Sequence, residues 1–252
     1  MKTIPNNTEA ILEPSRFIEY ALGNRLARLK DYHTVLFCFD ASIYRKLKKK
    51  FRGSTFTGLS GELYLMENKI ALAGKFGIGC PATIAFLEEL TACGMKRFVG
   101  IGSAGALHGN IQPGDVVICS GAFSDEGTSA HYPGFQFFSK PSPSLVAQLT
   151  RWFKERRIPF VKGKAWTIDA PYRETKQKLE YFLNLGADVV EMETSAMFNV
   201  ARFRKVEIAS VFVVGDSISG DKWNPDFKVT GMKKKSLLVS EEIVTFLSDN
   251  PI

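Results

Sequence analysis

Residues 187–219, ADVVEMETSAMFNVARFRKVEIASVFVVGDSIS, decide how the rest of the chain is read. Residues 188–190 form a short β-branched run that stops at two carboxylates, Glu191 and Glu193. Thr194 and Ser195 then offer N-caps for a helix with Met197, Val200 and Ala201 on one face. A second apolar run, residues 208–214, stops at Gly215-Asp216. In a strand–helix–strand unit both strands point the same way. Acids at their C-terminal ends therefore meet on the sheet edge where open α/β folds bind ligands, and Glu193 and Asp216 are expected to share a site. Taken singly, each has a plainer reading: Glu193 as an acid favoured by the helix dipole, Asp216 as the first residue of a loop.

Outward from this stretch, 252 residues with 45% hydrophobic content suffice for one α/β domain with a substantial core. Cys38, Cys80, Cys93 and Cys119 are scattered without CxxC spacing, which reads as buried thiols in a reducing compartment and excludes a cysteine metal site. The first residues, MKTIPNNTEA, carry no apolar leader, and no apolar run approaches the roughly 20 residues that cross a bilayer. A cytoplasmic protein with no membrane partner is expected. The net charge of +7 gathers at residues 45–52 (RKLKKKFR) and 233–235, without the interleaved aromatics of a base-stacking platform. These runs read as solvated helix faces rather than a nucleic-acid surface.

In chain order, Pro14-Ser15 precedes a helical pattern through Phe17, Tyr20, Ala21 and Leu26, and residues 34–39 read as a buried strand ending at Asp40. A basic helix over 42–50 follows, then a hairpin of 61–66 and 69–74 joined at Glu67-Asn68. Pro81 starts a helix with Ile84, Leu87 and Leu90 inside, and Gly94 ends it. Strand 97–101 runs into GSAGAL. Its Gly100, Gly102 and Gly105 match GxGxxG, but breaks at His108-Gly109-Asn110 and Pro113-Gly114 leave no room for a crossover helix before strand 115–120, which excludes a dinucleotide fold. The glycines are expected instead to let a small anion or sugar approach backbone N–H groups, with the Ser103 hydroxyl as a further donor. Residues 125–134, DEGTSAHYPG, are a turn-rich loop with His131 as a proton carrier or a contact residue. A helix with Leu145, Leu149, Trp152 and Phe153 on one face, a strand over 159–167 ending in TIDAPYRE, and an amphipathic C-terminal helix complete the pattern.

EMETSAMF (191–198) followed by a strand and GDS (215–217), together with DEGTSAHY (125–132), resembles the nucleoside phosphorylase superfamily, which holds purine nucleoside phosphorylase, uridine phosphorylase and the methylthioadenosine nucleosidases. The resemblance covers most of residues 34–247. It implies a single-domain three-layer α/β/α fold with a central mixed, partly barrel-like sheet, residues 1–30 forming a helical N-terminal extension. It implies that Met192 packs on the sugar, that Glu193 accepts from the 2′ and 3′ hydroxyls, and that Asp216 protonates the leaving base. Glu191, Ser103, Ala104, Gly105, His131 and Tyr172 complete the implied substrate set. The implied activity, in nucleoside salvage, is phosphorolysis of a ribonucleoside to free base and ribose 1-phosphate, with no cofactor, inorganic phosphate as co-substrate, and a homodimer or homohexamer as the assembly.

The chemistry fits those residue types. Cleaving a ribosyl–base bond passes through an oxocarbenium-like sugar, which an ionised Glu193 stabilises, while Asp216 serves the departing base. At the nucleophile site the chain departs from the family. The usual phosphate arginine is Gly100 (VGIGSAG), and the first-strand turn reads FDASIYR, with Asp40 in register and the arginine displaced to Arg45. Either Arg45, Gly102 and Ser103 receive phosphate, or Asp40 activates water and the enzyme is a nucleosidase. The residues that read uracil in uridine phosphorylases are not recognisable around 169–175, and a nucleoside-binding protein without turnover is the reading from another class.

Overall fold

The structure, a computed structural model, describes residues 10–219, 222–225 and 230–252. Residues 1–9 of the expected N-terminal extension lie outside the described residues. Among those described, the helices are α1 (Pro14–Leu22), α2 (Ala41–Lys50), α3 (Cys80–Ala92), α4 (Pro143–Glu155), α5 (Lys176–Asn184), α6 (Thr194–Arg204) and α7 (Thr230–Asp249). The strands are β1 (Thr34–Cys38), β2 (Gly53–Phe56), β3 (Glu62–Met66), β4 (Ile70–Gly74), β5 (Arg97–Ala106), β6 (Val116–Asp125), β7 (Phe138–Ser139), β8 (Val161–Ile168), β9 (Val189–Glu191), β10 (Glu207–Ser219) and β11 (Lys222–Pro225). Along the sheet the order is β11-β10-β6-β8-β9-β5-β1-β4-β3-β2, and β10 also pairs β5. That extra pairing closes β10, β6, β8, β9 and β5 into a five-stranded barrel, from which β1, β4, β3 and β2 continue as an open sheet.

Period-two alternation along the central strands builds the layers. On one face Val35, Phe37, Phe98, Phe212 and Val214 pack with Ile18 and Leu22 of α1, Ile84 and Leu87 of α3, and Met197 and Val200 of α6. On the other, Leu36, Cys38, Val99, Ile101, Val211 and Val213 pack with Ile43 and Leu47 of α2, Leu149 of α4, and Ile243 and Val244 of α7. The three-layer arrangement with a mixed, partly barrel-like sheet is therefore as expected, as is the β3–β4 hairpin.

Three local expectations are corrected. In α1 the buried residues are Ile18 and Leu22, while Tyr20 is 90% exposed, because the helix packs on α3 through its i, i+4 pair. The helix is thus part of the core and does not project from it. The strand expected over 97–101 does not stop before GSAGAL. That segment continues β5, paired with β10 as far as Ala106. Gly215-Asp216 does not end its strand either: β10 passes through a bulge there and pairs on with β11. No helix among the described residues is long and apolar enough to cross a membrane. The two basic runs lie on α2 and α7, with Arg45, Lys46, Lys49, Lys233 and Lys234 exposed, and with Lys48 and Lys50 paired to Glu62 and Glu241.

Candidate active site

β5 has β10 beside it along its whole length but changes partner on its other side. It runs parallel to β1 as far as Ile101 and antiparallel to β9 from Gly105. Where the sheet splits, at residues 102–104, a cavity of about 280 Å³ opens. Its walls are Gly100–Gly105 apart from Ile101, residues 190–194 after β9, Ser210, Phe212 and Asp216 of β10, Gly77 and Ile78 before α3, Phe39, and Pro171 with Glu174. Glu191, Met192, Glu193, Gly102, Ser103, Ala104, Gly105 and Asp216, all singled out in the sequence, meet here.

Glu191 and Glu193 are placed by backbone geometry. Glu191, 7% exposed, closes β9 and accepts from the backbone N–H of Glu193 and of Thr194, each at 2.8 Å. The Thr167 hydroxyl of β8 donates to its other oxygen. Glu191 therefore caps α6, where Thr194 and Ser195 had been expected to, and both its oxygens are used inside the protein. These bonds set the position of its neighbour. Glu193, the residue before α6, sends its side chain across the cavity to accept from the Gly79 N–H at 2.7 Å. Gly79 has φ of +88°, which a residue with a side chain rarely adopts. Burial, and for Glu193 also the adjacent Glu191 charge, raises both carboxyls above the ordinary range.

At the other end stands Asp216. The bulge at Gly215 puts Asp216, rather than Gly215, opposite Gly105. Its Oδ2 accepts from the indole N–H of Trp223 on β11 at 2.6 Å. Glu174, half-buried after the short turn Pro171–Arg173, lines the same wall, and burial together with the Asp216 charge pushes its carboxyl up to about 7. Ser210, 2% exposed, lines the cavity with a hydroxyl that has no hydrogen-bond partner. Among the described residues the cavity has four carboxylates and neither lysine nor arginine in its wall, although the chain as a whole is cationic. The N-terminal ends of α3 and α6, which both open onto it, supply partial positive charge. No group of three His, Cys, Asp or Glu side chains among the described residues is placed to hold a metal ion.

Four expected site residues are elsewhere. Arg45 is exposed on α2 and is not in the cavity wall, because the first helical turn carries it to the outer face. Asp40 caps α2, accepting from the Ser42 and Ile43 N–H groups at 2.6 and 3.1 Å, and lines a separate hollow of about 20 Å³ behind Gly102 and Ser103. Burial raises its carboxyl, but hydrogen bonds from Ser42 and Ile43 outweigh that and hold it below the usual range, which makes it a weak base. Tyr172 is 99% exposed while its neighbours Pro171 and Glu174 line the cavity. His131 is exposed at the end of the turn Ser129–His131. Its loop is instead tied down by Glu126, which accepts from Ser124 Oγ, the Thr128 and Ser129 N–H groups, and Ser195 Oγ of α6. Sequence reasoning missed Glu174, Ser210 and the Gly77–Gly79 loop. A serine inside the apolar run IASVFVV and an acid two residues after Tyr172 were the available signals.

A mixed sheet with a five-stranded closure, and an acid-lined cavity at the split of its central strand, define an α/β protein with a small-molecule site at strand ends. Residues 20–246 match the model of the phosphorylase superfamily, and the chain belongs to that superfamily. It is 27% identical to a guanosine phosphorylase of Halorubrum lacusprofundi over 151 residues, 60% of this chain and 63% of that one. It is 29% identical to a uridine phosphorylase of Treponema pallidum over 212 residues, 78% of this chain and 81% of that one. The chain thus spans under two thirds of the guanosine phosphorylase it matches. A crystal structure of purine nucleoside phosphorylase from Toxoplasma gondii, in complex with immucillin-H, shares the fold with a TM-score of 0.76 at 19% identity, covering 86% of this chain and 91% of that one.

Proposed function

We propose that the chain cleaves the N-glycosidic bond of a ribonucleoside, with phosphate as the nucleophile. The observation that carries this is the convergence of Glu193, after β9, and Asp216, at the bulge of β10, in one cavity of a phosphorylase-superfamily fold. Glu193 accepts from the Gly79 N–H and turns its carboxyl to the ribose hydroxyls, and in its ionised form, which its raised pKa of about 8 places toward alkaline pH, it stabilises the cationic sugar. Met192 lies against the sugar, and Asp216 with Glu174 faces the base. The bond from C1′ to the base nitrogen breaks, a phosphate oxygen bonds to C1′, and the proton that phosphate loses ends on the departing base. No cofactor takes part, and the names of the relatives support phosphate as co-substrate. A homodimer or homohexamer in the cytoplasm belongs to the same reading, and light scattering checks the assembly.

Hydrolysis is the second reading, favoured by one observation: no lysine or arginine among the described residues lines the cavity. Incubation with a panel of purine and pyrimidine nucleosides, with and without phosphate, separates the two through the sugar product. Ribose 1-phosphate formed only with phosphate supports the first; equal base release in phosphate-free buffer overturns it. Glu193→Ala is expected to lower kcat/KM by at least about 100-fold while thermal unfolding shows a folded protein. A fully active variant refutes the ribose assignment.

A further inference from the structure

The segment DEGTSAHY, residues 125–132, stands out in the sequence, yet none of its residues lines the cavity. Its first three residues instead tie the end of β6 to three neighbours. Asp125 accepts from the indole N–H of Trp166 on β8 at 3.0 Å and from Lys178 of α5 at 2.7 Å. The Gly127 N–H donates to Asp169, in the loop after β8, at 2.8 Å. Glu126 reaches α6. Its Oε2 accepts from the Thr128 and Ser129 N–H groups at 2.7 and 3.0 Å, which closes the loop on itself. Its Oε1 accepts from Ser124 Oγ at 2.6 Å and from Ser195 Oγ at 3.1 Å. Burial raises this carboxyl, but the bonds from Ser124, Ser129 and Ser195 outweigh that and hold it below the usual range. Ser195 is fully buried in the first turn of α6, two residues after Glu193, and its N–H donates to Thr167 of β8 at 3.0 Å. Its backbone is thus held from β8 and its side chain from Glu126. Glu193 directly precedes the helix, so its reach to Gly79 depends on where that first turn sits.

We propose that Glu126 is a positioning residue for Glu193: through Ser195 it fixes the first turn of α6, and with it the carboxyl that meets the 2′ and 3′ hydroxyls of the ribose. It touches no substrate itself, and the role rests on the nucleosidic reading of the site above. Bonds to the ring hydroxyls strengthen as the sugar becomes cationic, and a misplacement of about 1 Å can cost on the order of 100-fold in rate. Ser195 separates this role from mere support of the loop. Ser195→Ala removes the bond from Glu126 to the helix and leaves Ser124, Thr128 and Ser129 on the carboxylate. One turn further along α6, Asn199 still holds the loop through Ser129 Oγ and the Gln136 backbone.

The test compares kcat/KM for adenosine, inosine, guanosine and uridine with that for their 2′-deoxy counterparts in phosphate buffer. Both members of a pair are measured on one preparation, so their ratio does not depend on how much of it is folded. The wild type is expected to prefer the ribonucleoside, and Glu193→Ala to abolish that preference. Glu126→Ala and Ser195→Ala are each expected to lower the ratio about tenfold. Glu126→Gln keeps an acceptor for the two N–H groups and an amide from which Ser195 Oγ accepts, and is expected to retain most of the ratio. In a Glu193→Ala background neither Glu126→Ala nor Ser195→Ala is expected to lower it further. Should thermal unfolding show that Glu126→Ala does not fold, Ser195→Ala carries the test. A ratio that Glu193→Ala abolishes but Ser195→Ala leaves unchanged overturns this inference and leaves the nucleosidic reading standing. A wild type without preference for the ribonucleoside, or no base release from any nucleoside, removes the ribose assignment and this inference with it.

Discussion

Glu191 offers the sharpest test of how the site is held. Its side chain accepts three hydrogen bonds, from the Glu193 and Thr194 N–H groups and the Thr167 hydroxyl, and Thr167 in turn accepts from the Ser195 N–H at 3.0 Å. Glu191→Ala leaves two first-turn N–H groups of α6 without a partner, and Thr194 is too buried for water to replace it. Each orphaned donor costs about 1–3 kcal/mol. Removing a desolvated carboxylate returns part of that, since burying an ion itself costs several kcal/mol. The expected net loss is ~2–4 kcal/mol, a sizeable share of a total of about 5–15. For a chain of this length that corresponds to a fall in Tm of about 5–15 °C. Glu191→Gln keeps an acceptor for the two N–H groups and is expected to lose about half as much. Urea unfolding at neutral pH, followed by circular dichroism, gives both values. An alanine variant within about 1 kcal/mol of wild type refutes the capping role, because nothing else in the structure satisfies those donors.

Gly105→Ala places a Cβ 3.1 Å from Asp216 Oδ1 and 3.2 Å from Val190 Cγ1. It is expected to displace the carboxylate, lowering kcat/KM about tenfold for a stability loss of ~1–2 kcal/mol; unimpaired turnover contradicts the placement of Asp216. Glu174 gives a pH signature in stability. Its carboxyl is raised from 4.5 to about 7 in the folded chain, so its contribution is fully present below pH 4.5 and is lost as pH rises to about 7. Glu174→Gln should therefore gain on wild type across that interval and hold a constant margin above it. Urea midpoints at a series of pH values check this, and a margin that does not change with pH refutes the shift.

Much of this fold was legible because strand alternation and helix periodicity record burial directly. The acids at residues 191, 193 and 216 were singled out on the expectation of a parallel strand–helix–strand unit, and that expectation is corrected: β9 runs antiparallel to β5 whereas β10 runs parallel to it, and the acids line one cavity because the barrel closes around β5, with Asp216 at a bulge inside β10. What sequence could not show was direction at the scale of one side chain. Glu191 and Glu193 are two residues apart and equally acidic, yet one caps a helix and the other crosses to Gly79. Arg45 stood five residues after Asp40, the register position of a phosphate-binding turn, but the start of α2 at Ala41 turned it to the surface. Gly215-Asp216 reads as a strand end, but pairing with β5 past the bulge and with β11 continues it. Tyr172 drew attention as an aromatic, whereas the short turn points it outward and leaves the less conspicuous Glu174 on the cavity wall.

The site is where it is because β5 serves two sheets at once. A strand with β10 on one flank can continue either into the parallel sheet through β1 or into the barrel through β9. It does both, so its second flank is left without a ladder partner between Ile101 and Gly105. Side chains there must be small for the gap to be a cavity, and the sequence supplies Gly102, Ser103 and Ala104. Gly100 belongs to the same requirement. A Cβ on it would stand in van der Waals contact with Phe39, Met197 and Ser210, each at 3.4 Å, so a side chain there would have to extend into the cavity itself. The missing arginine is therefore more than one lost charge. The wall beside Gly100 is Phe39, which stacks in turn on Phe37 and meets Phe76 edge-on. Attraction for an anion in this cavity then falls to the N-terminal ends of α3 and α6, whose first N–H groups have no partners within their own helices. Several of those donors are already committed, Gly79 to Glu193, Thr194 to Glu191 and Ser195 to Thr167, so what remains for an anion is the partial charge of the helix ends. On the proposed reading, the grip on the sugar and the field that would draw in the nucleophile come from the same two helix ends.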